Sequence, residues 1–488
     1  MVGRRTAETL APLPPEVRAT ATATGGAAAP HAALGLLMTV VALVLILLSW
    51  TMVVGADTMW LVALGDHIRR SGQVPTGVPF ATADSTGWVN VPVLGELAFS
   101  WLHSLGPLGL PFAQLVVATL LVAVVIVSCR GEGAGTGAAA GLVALFVLGT
   151  LPALGVVRAQ TLSLLPFAVL VLILRREHRA PSRRVWLVVP LIALWGNLHG
   201  AVLLGVAVTG AYLLLSRLRK EPVVAVGAGA ATVAALFVNP GLLNTPKYYL
   251  GVLTNEALDR GSELWSAPRL DKPLDLFMIA AAAVLLVLVL RGARRVPLWE
   301  WVVVAALGYM TISSARHGVW LIMFLVPAAA RSTSPTSEAA ELRPGPALSR
   351  AVGLTLVVAF LLGASVLVSR QGTFDDSSEV VAQTARLAGS EGVALAPEPL
   401  VETLAAEGVR VWMGNPIDAF TRADQAAYLD FIGGAGSQAG RALAAVDVVV
   451  AKTGSAPATL ASGAGFVTHS QVGGYDLMVP ADAGERSK

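Results

Sequence analysis

The sequence predicts an α-helical polytopic membrane protein of about eleven transmembrane helices, followed by a small C-terminal α/β extracytoplasmic domain. Three observations carry that expectation. The 488 residues are 55% hydrophobic and only 13% charged, with a mean hydropathy of +0.70, which is about half the charge of an ordinary globular chain. The apolar residues gather in blocks that approach or reach the roughly 20 residues a bilayer crossing takes. From about residue 370 the blocks stop and a mixed pattern with 8 basic and 14 acidic residues takes over. The overall balance of 34 basic and 31 acidic residues excludes nucleic acid as the expected partner. Cys129 is the single cysteine, so an intramolecular disulfide, a thiolate zinc cluster and a CxxC redox pair are all excluded.

Residues 1–32, rich in Ala, Thr, Pro and Gly, contain no apolar run and read as a disordered cytoplasmic tail. Block 33–54 reads as a retained anchor, since no small-residue cleavage site follows it cleanly. Further blocks run at about 108–128, 137–156, 161–174, 185–197, 200–216, 222–238, 274–290, 297–313, 318–330 and 351–369. With the N-terminus inside, the cytoplasmic segments carry 18 Arg and Lys residues against 8 in the opposite loops. The positive-inside rule then places the C-terminal domain, 370–488, outside the cytoplasm. In that domain the runs VALA (393), VRVWM (409), VDVVVA (446) and GYDLMV (474) read as strands, and ADQAAYLDFI (423) as a helix. GGAGSQAG (433) follows a helical run, not a strand, so it reads as a turn and not a dinucleotide site. The membrane domain, 33–369, has a long first outer loop, 55–107, whose stretches MWLVALGDHIRR and VPVLGELAFSWLHSL read as helices lying along the membrane surface.

The polar residues inside this apolar chain point to a site. Blocks 185–197 and 200–216 total 30 residues, about 45 Å of helix, where two crossings need about 60 Å. Their connector, with Asn197 and His199, is therefore expected to sit below the outer surface. The same reasoning applies to Arg158 and to the pair Arg316 and His317, which precede two other short blocks. A buried ionisable group is costly and normally faces a cavity or partner. Arg158, His199, Arg316 and Asn239 are expected to converge opposite Asp57, just past the first span, while the cytoplasmic halves hold almost no polar residues beyond terminal arginines. Each residue has a plainer reading. The arginines fit interfacial anchors equally well, His199 a helix-terminus hydrogen bond, Asn239 a helix end, and Glu96 a water-facing position. Trp60, Trp88, Trp101, Trp195 and Trp265 read as an interfacial belt. Convergence favours a pocket open to the outer side, with cations for an anionic headgroup and a carboxylate for proton transfer.

The order of these features resembles the GT-C glycosyltransferase superfamily, in particular a bacterial branch similar to dolichyl-phosphate-mannose mannosyltransferases. The resemblance rests on GADTMWLVALGDHIRRSGQVPTGVPFA and GWVNVPVLGELAF in the first loop, RAQTLSLLPFAVLVLIL (158), WGNLHGAVLLG (195), NPGLL (239), SELWSAP (262) and ARHGVWL (315). It implies a GT-C-like fold in a bacterial plasma membrane and transfer of a hexosyl or pentosyl group from a polyprenyl-phosphate sugar at the extracytoplasmic face. Asp57 would be the catalytic base. Arg158, His199 and Arg316 would hold the donor phosphate, with Asn197, Asn239 and His317 lining the substrate site and Glu96 a secondary carboxylate. No cofactor beyond the lipid-linked donor is implied, and no metal is assigned. The chain departs from the family pattern at Met59-Trp60-Leu61, where relatives carry Trp-Trp-His, and at Met413-Gly414-Asn415-Pro416. Two other function classes stay open: a transporter or flippase of a lipid-linked substrate, and a non-catalytic scaffold whose outer domain recruits cell-envelope enzymes.

Overall fold

The computed structural model describes residues 28–260, 266–333, 346–374 and 378–481. Most of the expected N-terminal tail, and Trp265, lie outside them. Helix α1 (Ala28–Thr51) leads into a two-residue strand β1 (Val53–Val54), then α2 (Ala56–Ser71) and α3 (Val93–His103). Next come α4 (Gly109–Gly131), α5 (Thr136–Leu154), strand β2 (Val156–Val157) and α6 (Thr161–Arg179). A broken pair follows, α7 (Val188–Gly196) and α8 (Val202–Tyr212), and then α9 (Pro222–Ala235), α10 (Thr245–Leu253) and α11 (Glu256–Asp259). The bundle ends with α12 (Pro273–Arg291), α13 (Leu298–Ser313), α14 (Gly318–Ala330) and α15 (Pro346–Ser369).

Each of the eleven apolar blocks thus forms one helix. Five, within α1, α4, α5, α12 and α15, are long and apolar enough to cross a membrane on their own. The shorter ones are explained by position. All thirteen residues of α14 are buried, as expected of a helix that is apolar all round and lies inside the bundle. Small residues let its neighbours close in: a β-carbon on Gly149 would come within 2.6 Å of both Ala281 and Ile322, where α5, α12 and α14 meet.

The C-terminal unit contains α16 (Ser378–Ala388), β3 (Val393–Leu395), α17 (Leu400–Ala406), β4 (Arg410–Val411), α18 (Arg422–Gly433) and α19 (Ala439–Leu443). It closes with β5 (Val448–Lys452), α20 (Ala456–Gly463), β6 (Phe466–Val472) and β7 (Tyr475–Pro480). The sheet order is β4-β3-β5-β7-β6, parallel through β5 and antiparallel beyond it. The four strand runs read from sequence are present. The fifth strand, β6, escapes that reading because it is an outer strand on which Phe466 alone is buried, so no apolar alternation marks it. Gly434, with φ +61°, ends α18, which makes the glycine-rich stretch a turn.

Two findings add to the expectations. First, the two helices expected in the long loop form as α2 and α3 and are covered by protein: Met59–Leu64 are buried, and α2 packs against α3 and against α17. A β-carbon on Gly65 would come within 2.2 Å of the Glu96 carbonyl oxygen, so the α2–α3 crossing admits no side chain there. The loop also joins the C-terminal unit directly, with Thr82 N–H donating to Val411 O and Ala83 N–H to Trp412 O, both at 2.9 Å. Second, the end of the bundle away from this loop is not bare of polar groups. Arg175 pairs with Glu300 at 3.1 Å, and Arg331 with Glu300 at 2.8 Å and Glu132 at 2.7 Å. A second set joins Arg217 to Glu177 and Glu221. Several arginines that read as charged loop ends are therefore ion-paired, some of them buried.

Candidate active site

The site begins with two short strands. β1 and β2 pair in parallel, Val53 with Val156 and Val54 with Val157, so the residues after each strand emerge side by side at one end of the bundle. Gly55 N–H donates to Val157 O at 2.8 Å, and the buried Thr58 hydroxyl donates to the same oxygen at 2.7 Å. These contacts fix the first turn of α2, and with it Asp57, beside Arg158. The Asp57 carboxylate lies 3.6 Å from Arg158 Nε, an ionic contact longer than a hydrogen bond. Arg158 Nε is buried without a hydrogen-bond partner among the described residues, so the pair is not saturated.

Gly55 is the hinge of this arrangement. A β-carbon there would sit 2.8 Å from Val156 Cγ1 and 2.9 Å from Val157 O. Gly55→Val is expected to destabilise the protein by about 1–3 kcal/mol through overpacking, while Gly141→Val, where the position has nothing within 4 Å, serves as control. Thermal unfolding of the two purified variants checks this, and equal midpoints would refute it.

Arg316 and His317 form a single 3-10 turn between α13 and α14. Gln160 Nε2 donates to the Arg316 carbonyl at 3.4 Å, tying this turn to the Arg158 loop. Arg316 lies within electrostatic range of both Arg158 and Asp57, and both arginines act on His199. Asp57, Arg158, His199 and Arg316 are thus brought together, from four separate stretches of chain. His317 Nδ1 is buried without a partner among the described residues.

His199 is held in one tautomer. Trp195 Nε1 donates to Ser163 Oγ at 2.7 Å, and that oxygen lies 2.8 Å from His199 Nδ1. The Ala201 backbone N–H points at the same nitrogen at 3.2 Å. A backbone amide can only donate, so Nδ1 is an acceptor and the neutral ring carries its proton on Nε2.

Asn197 and Asn239 occupy the neighbouring turns with their hydrogen bonds made inside the chain. Asn197 Nδ2 donates to Ala193 O and Val238 O, while Asn239 accepts from Gly241 N–H and the Thr245 hydroxyl and donates to Leu236 O. The connector itself rests on α3: Gly95 N–H donates to Asn197 O at 3.1 Å, and a β-carbon on Gly95 would meet Leu198 O at 2.3 Å.

Glu96 is fully buried instead of facing water. It accepts from Asn90 Nδ2 at 2.9 Å, its other oxygen has no partner among the described residues, and burial pushes its pKa up to about 8. Of the four described tryptophans, Trp60, Trp88 and Trp195 are buried, which does not fit an interfacial belt, and Trp101 is exposed.

The sequence reading missed the contribution of the C-terminal unit. Glu398 lies within electrostatic range of Asp57, and Glu402 beside it is buried, accepting from Asn415 Nδ2 at 2.9 Å. Farther along the same junction, Trp88 Nε1 donates to Asp418 at 3.3 Å, and burial pushes that carboxyl up to about 6. Among the described residues no group of three His, Cys, Asp or Glu side chains is placed to hold a metal ion.

No protein-family model matches the chain, and no curated protein matches it in sequence. Solved structures do. ArnT from Cupriavidus metallidurans bound to undecaprenyl phosphate superposes with a TM-score of 0.52 at 14% identity, over 91% of this chain and 97% of ArnT. The arabinofuranosyltransferase AftD from Mycobacteria aligns with a TM-score of 0.44 at 16% identity, over 85% of this chain and 36% of AftD. What the chain shares with ArnT at this identity is the fold alone.

Proposed function

We propose that the protein transfers a sugar from a polyprenyl-phosphate donor to a hydroxyl acceptor at the extracytoplasmic face of a bacterial plasma membrane. The observation that carries this reading is the convergence of one carboxylate, Asp57, with Arg158, Arg316 and His199 from four separate stretches of chain. In the proposed step Asp57 takes the acceptor's hydroxyl proton as that oxygen attacks the anomeric carbon. The bond from that carbon to the phosphate oxygen breaks, and the polyprenyl phosphate departs as an anion. Arg158 and Arg316 oppose the developing charge, with the His199 Nε2 proton as a further donor. Undecaprenyl phosphate bound to ArnT, whose fold the chain shares, supports a lipid phosphate as ligand. The excess of basic residues on the opposite side supports the orientation. A transport role is less well supported, because the buried ion pairs of Arg175, Glu300, Arg331 and Glu132 fill the end through which a substrate would have to leave.

The test is binding of undecaprenyl phosphate to the purified protein in nanodiscs. The double variant Arg158→Gln/Arg316→Gln is expected to lose at least tenfold in affinity, since each charge-assisted hydrogen bond contributes about 1.5–3 kcal/mol. Equal affinity of wild type and variant would remove the arginines from the phosphate site.

A further inference from the structure

We propose that Glu398, supplied by the C-terminal unit, is a substrate-binding residue that accepts hydrogen bonds from the hydroxyls of a carbohydrate acceptor. The inference rests on the glycosyl-transfer reading above and names the acceptor's chemistry and side of approach.

The site has two walls of opposite character. Arg158 follows β2 and Arg316 lies between α13 and α14, so the cationic wall belongs to the helical bundle. The opposing wall belongs to the C-terminal unit. Glu398 lies just past the carboxyl end of β3 and Asn415 just past that of its parallel neighbour β4. That edge is where open α/β sheets place ligands. The edge is aimed at Asp57 by two sets of contacts. Helix α17, which starts two residues after Glu398, packs on α2, which starts one residue before Asp57. The loop strand at Ala81 adds to β4 through a parallel bridge to Val411.

Glu398 is half-buried, so part of it stays accessible. Glu402 is not: it is 2% exposed, one oxygen takes both the backbone N–H and the side-chain amide of Asn415, and the other has no partner among the described residues. Asn415, held by Glu402, also hydrogen-bonds Glu398 and so positions it. Burial, and after it the Asp57 charge, raise the Glu398 pKa against one hydrogen bond from the Asn415 side chain that lowers it, and a further hydroxyl donor would stabilise the carboxylate.

The chemistry assigns the walls. A lipid phosphate is repelled by carboxylates and is held by the arginines. Displacement at the anomeric carbon brings the nucleophile in from the side opposite the leaving oxygen. The acceptor must then approach along the acidic wall, with the attacking hydroxyl at Asp57 and a neighbouring hydroxyl at Glu398.

The experiment uses the full chain in nanodiscs, with polyprenyl-phosphate mannose and polyprenyl-phosphate arabinose as donors and a panel of octyl glycosides as acceptors. Glu398→Ala is expected to raise the acceptor KM about tenfold or more and to leave hydrolysis of the donor by water, undecaprenyl phosphate affinity and the melting temperature within twofold or a few degrees. Glu398→Gln, which keeps an acceptor oxygen, is expected to fall between. An unchanged acceptor KM overturns the proposal. So does a parallel loss of kcat, donor hydrolysis and melting temperature in both variants, which marks a structural strut. A wild type that hydrolyses donor but transfers to no glycoside overturns the acceptor class. A wild type that binds no undecaprenyl phosphate overturns the underlying reading instead.

Discussion

Asp57→Asn is expected to lower sugar transfer about a thousandfold, within the 10²–10⁴ range that a positioned general base contributes. Asparagine keeps the shape and one acceptor oxygen of the side chain but cannot take a proton at neutral pH. The backbone that carries it is fixed independently, by Gly55 N–H and the Thr58 hydroxyl on Val157 O, so the variant should fold as the wild type does. Undecaprenyl phosphate affinity should hold or rise, because Arg158 loses its carboxylate neighbour at 3.6 Å and turns its full charge to the phosphate. Transfer rate, lipid binding and melting temperature measured on one preparation separate these effects. An undiminished rate would remove Asp57 from the chemistry, and a rate lost together with folding would make it structural.

The parts of this molecule that were legible in the sequence are those whose signal is local contrast. An apolar run is a local property, so every block became a helix. Arg158, His199 and Arg316 stood out because they interrupt such runs, and the structure brings them to one place with Asp57. Where the surroundings offered no contrast, the reading failed. Glu398 is one of 14 acidic residues after position 370, and nothing local distinguishes it from a solvated charge. Glu132, Glu177 and Glu300 lie at block margins, where a charge looks like a loop residue, although each pairs with an arginine. The pairing of β1 with β2 is too short for any periodicity to reveal. Helix α2 has an amphipathic pattern that implies one covered face, and only its neighbours α3 and α17 show that two are covered.

Glu300→Ala should produce the largest loss of stability, about 3–5 kcal/mol, the usual effect of removing one partner from a buried ion pair. Arg175 and Glu300 are 2% and 0% exposed in their side chains. Arg175 also donates to Phe324 O at 2.7 Å and lies over the Phe324 ring at 4.7 Å, yet its Nε and Nη1 have no partners among the described residues. Without Glu300 the carboxylate left to act on it would be Glu132, which already pairs with Arg179 and Arg331. The replacement Arg175→Met/Glu300→Leu removes both charges and is expected to recover most of the loss, because apolar groups of similar volume often substitute for a buried pair at little or no cost. Arg331 keeps Glu132 at 2.7 Å in either case. Denaturant unfolding of the single and double variants in detergent gives the comparison, and a single variant as stable as wild type would show that the pair does not hold this end together. Arg158 and Arg175 stand 17 positions apart across α6, about 25 Å along a helix. At that distance Glu300→Ala should leave transfer nearly intact below its melting temperature, the reverse of Asp57→Asn. A large fall in kcat for folded Glu300→Ala would mean that the two ends are coupled through α6, and that the ion-pair network is part of the working site.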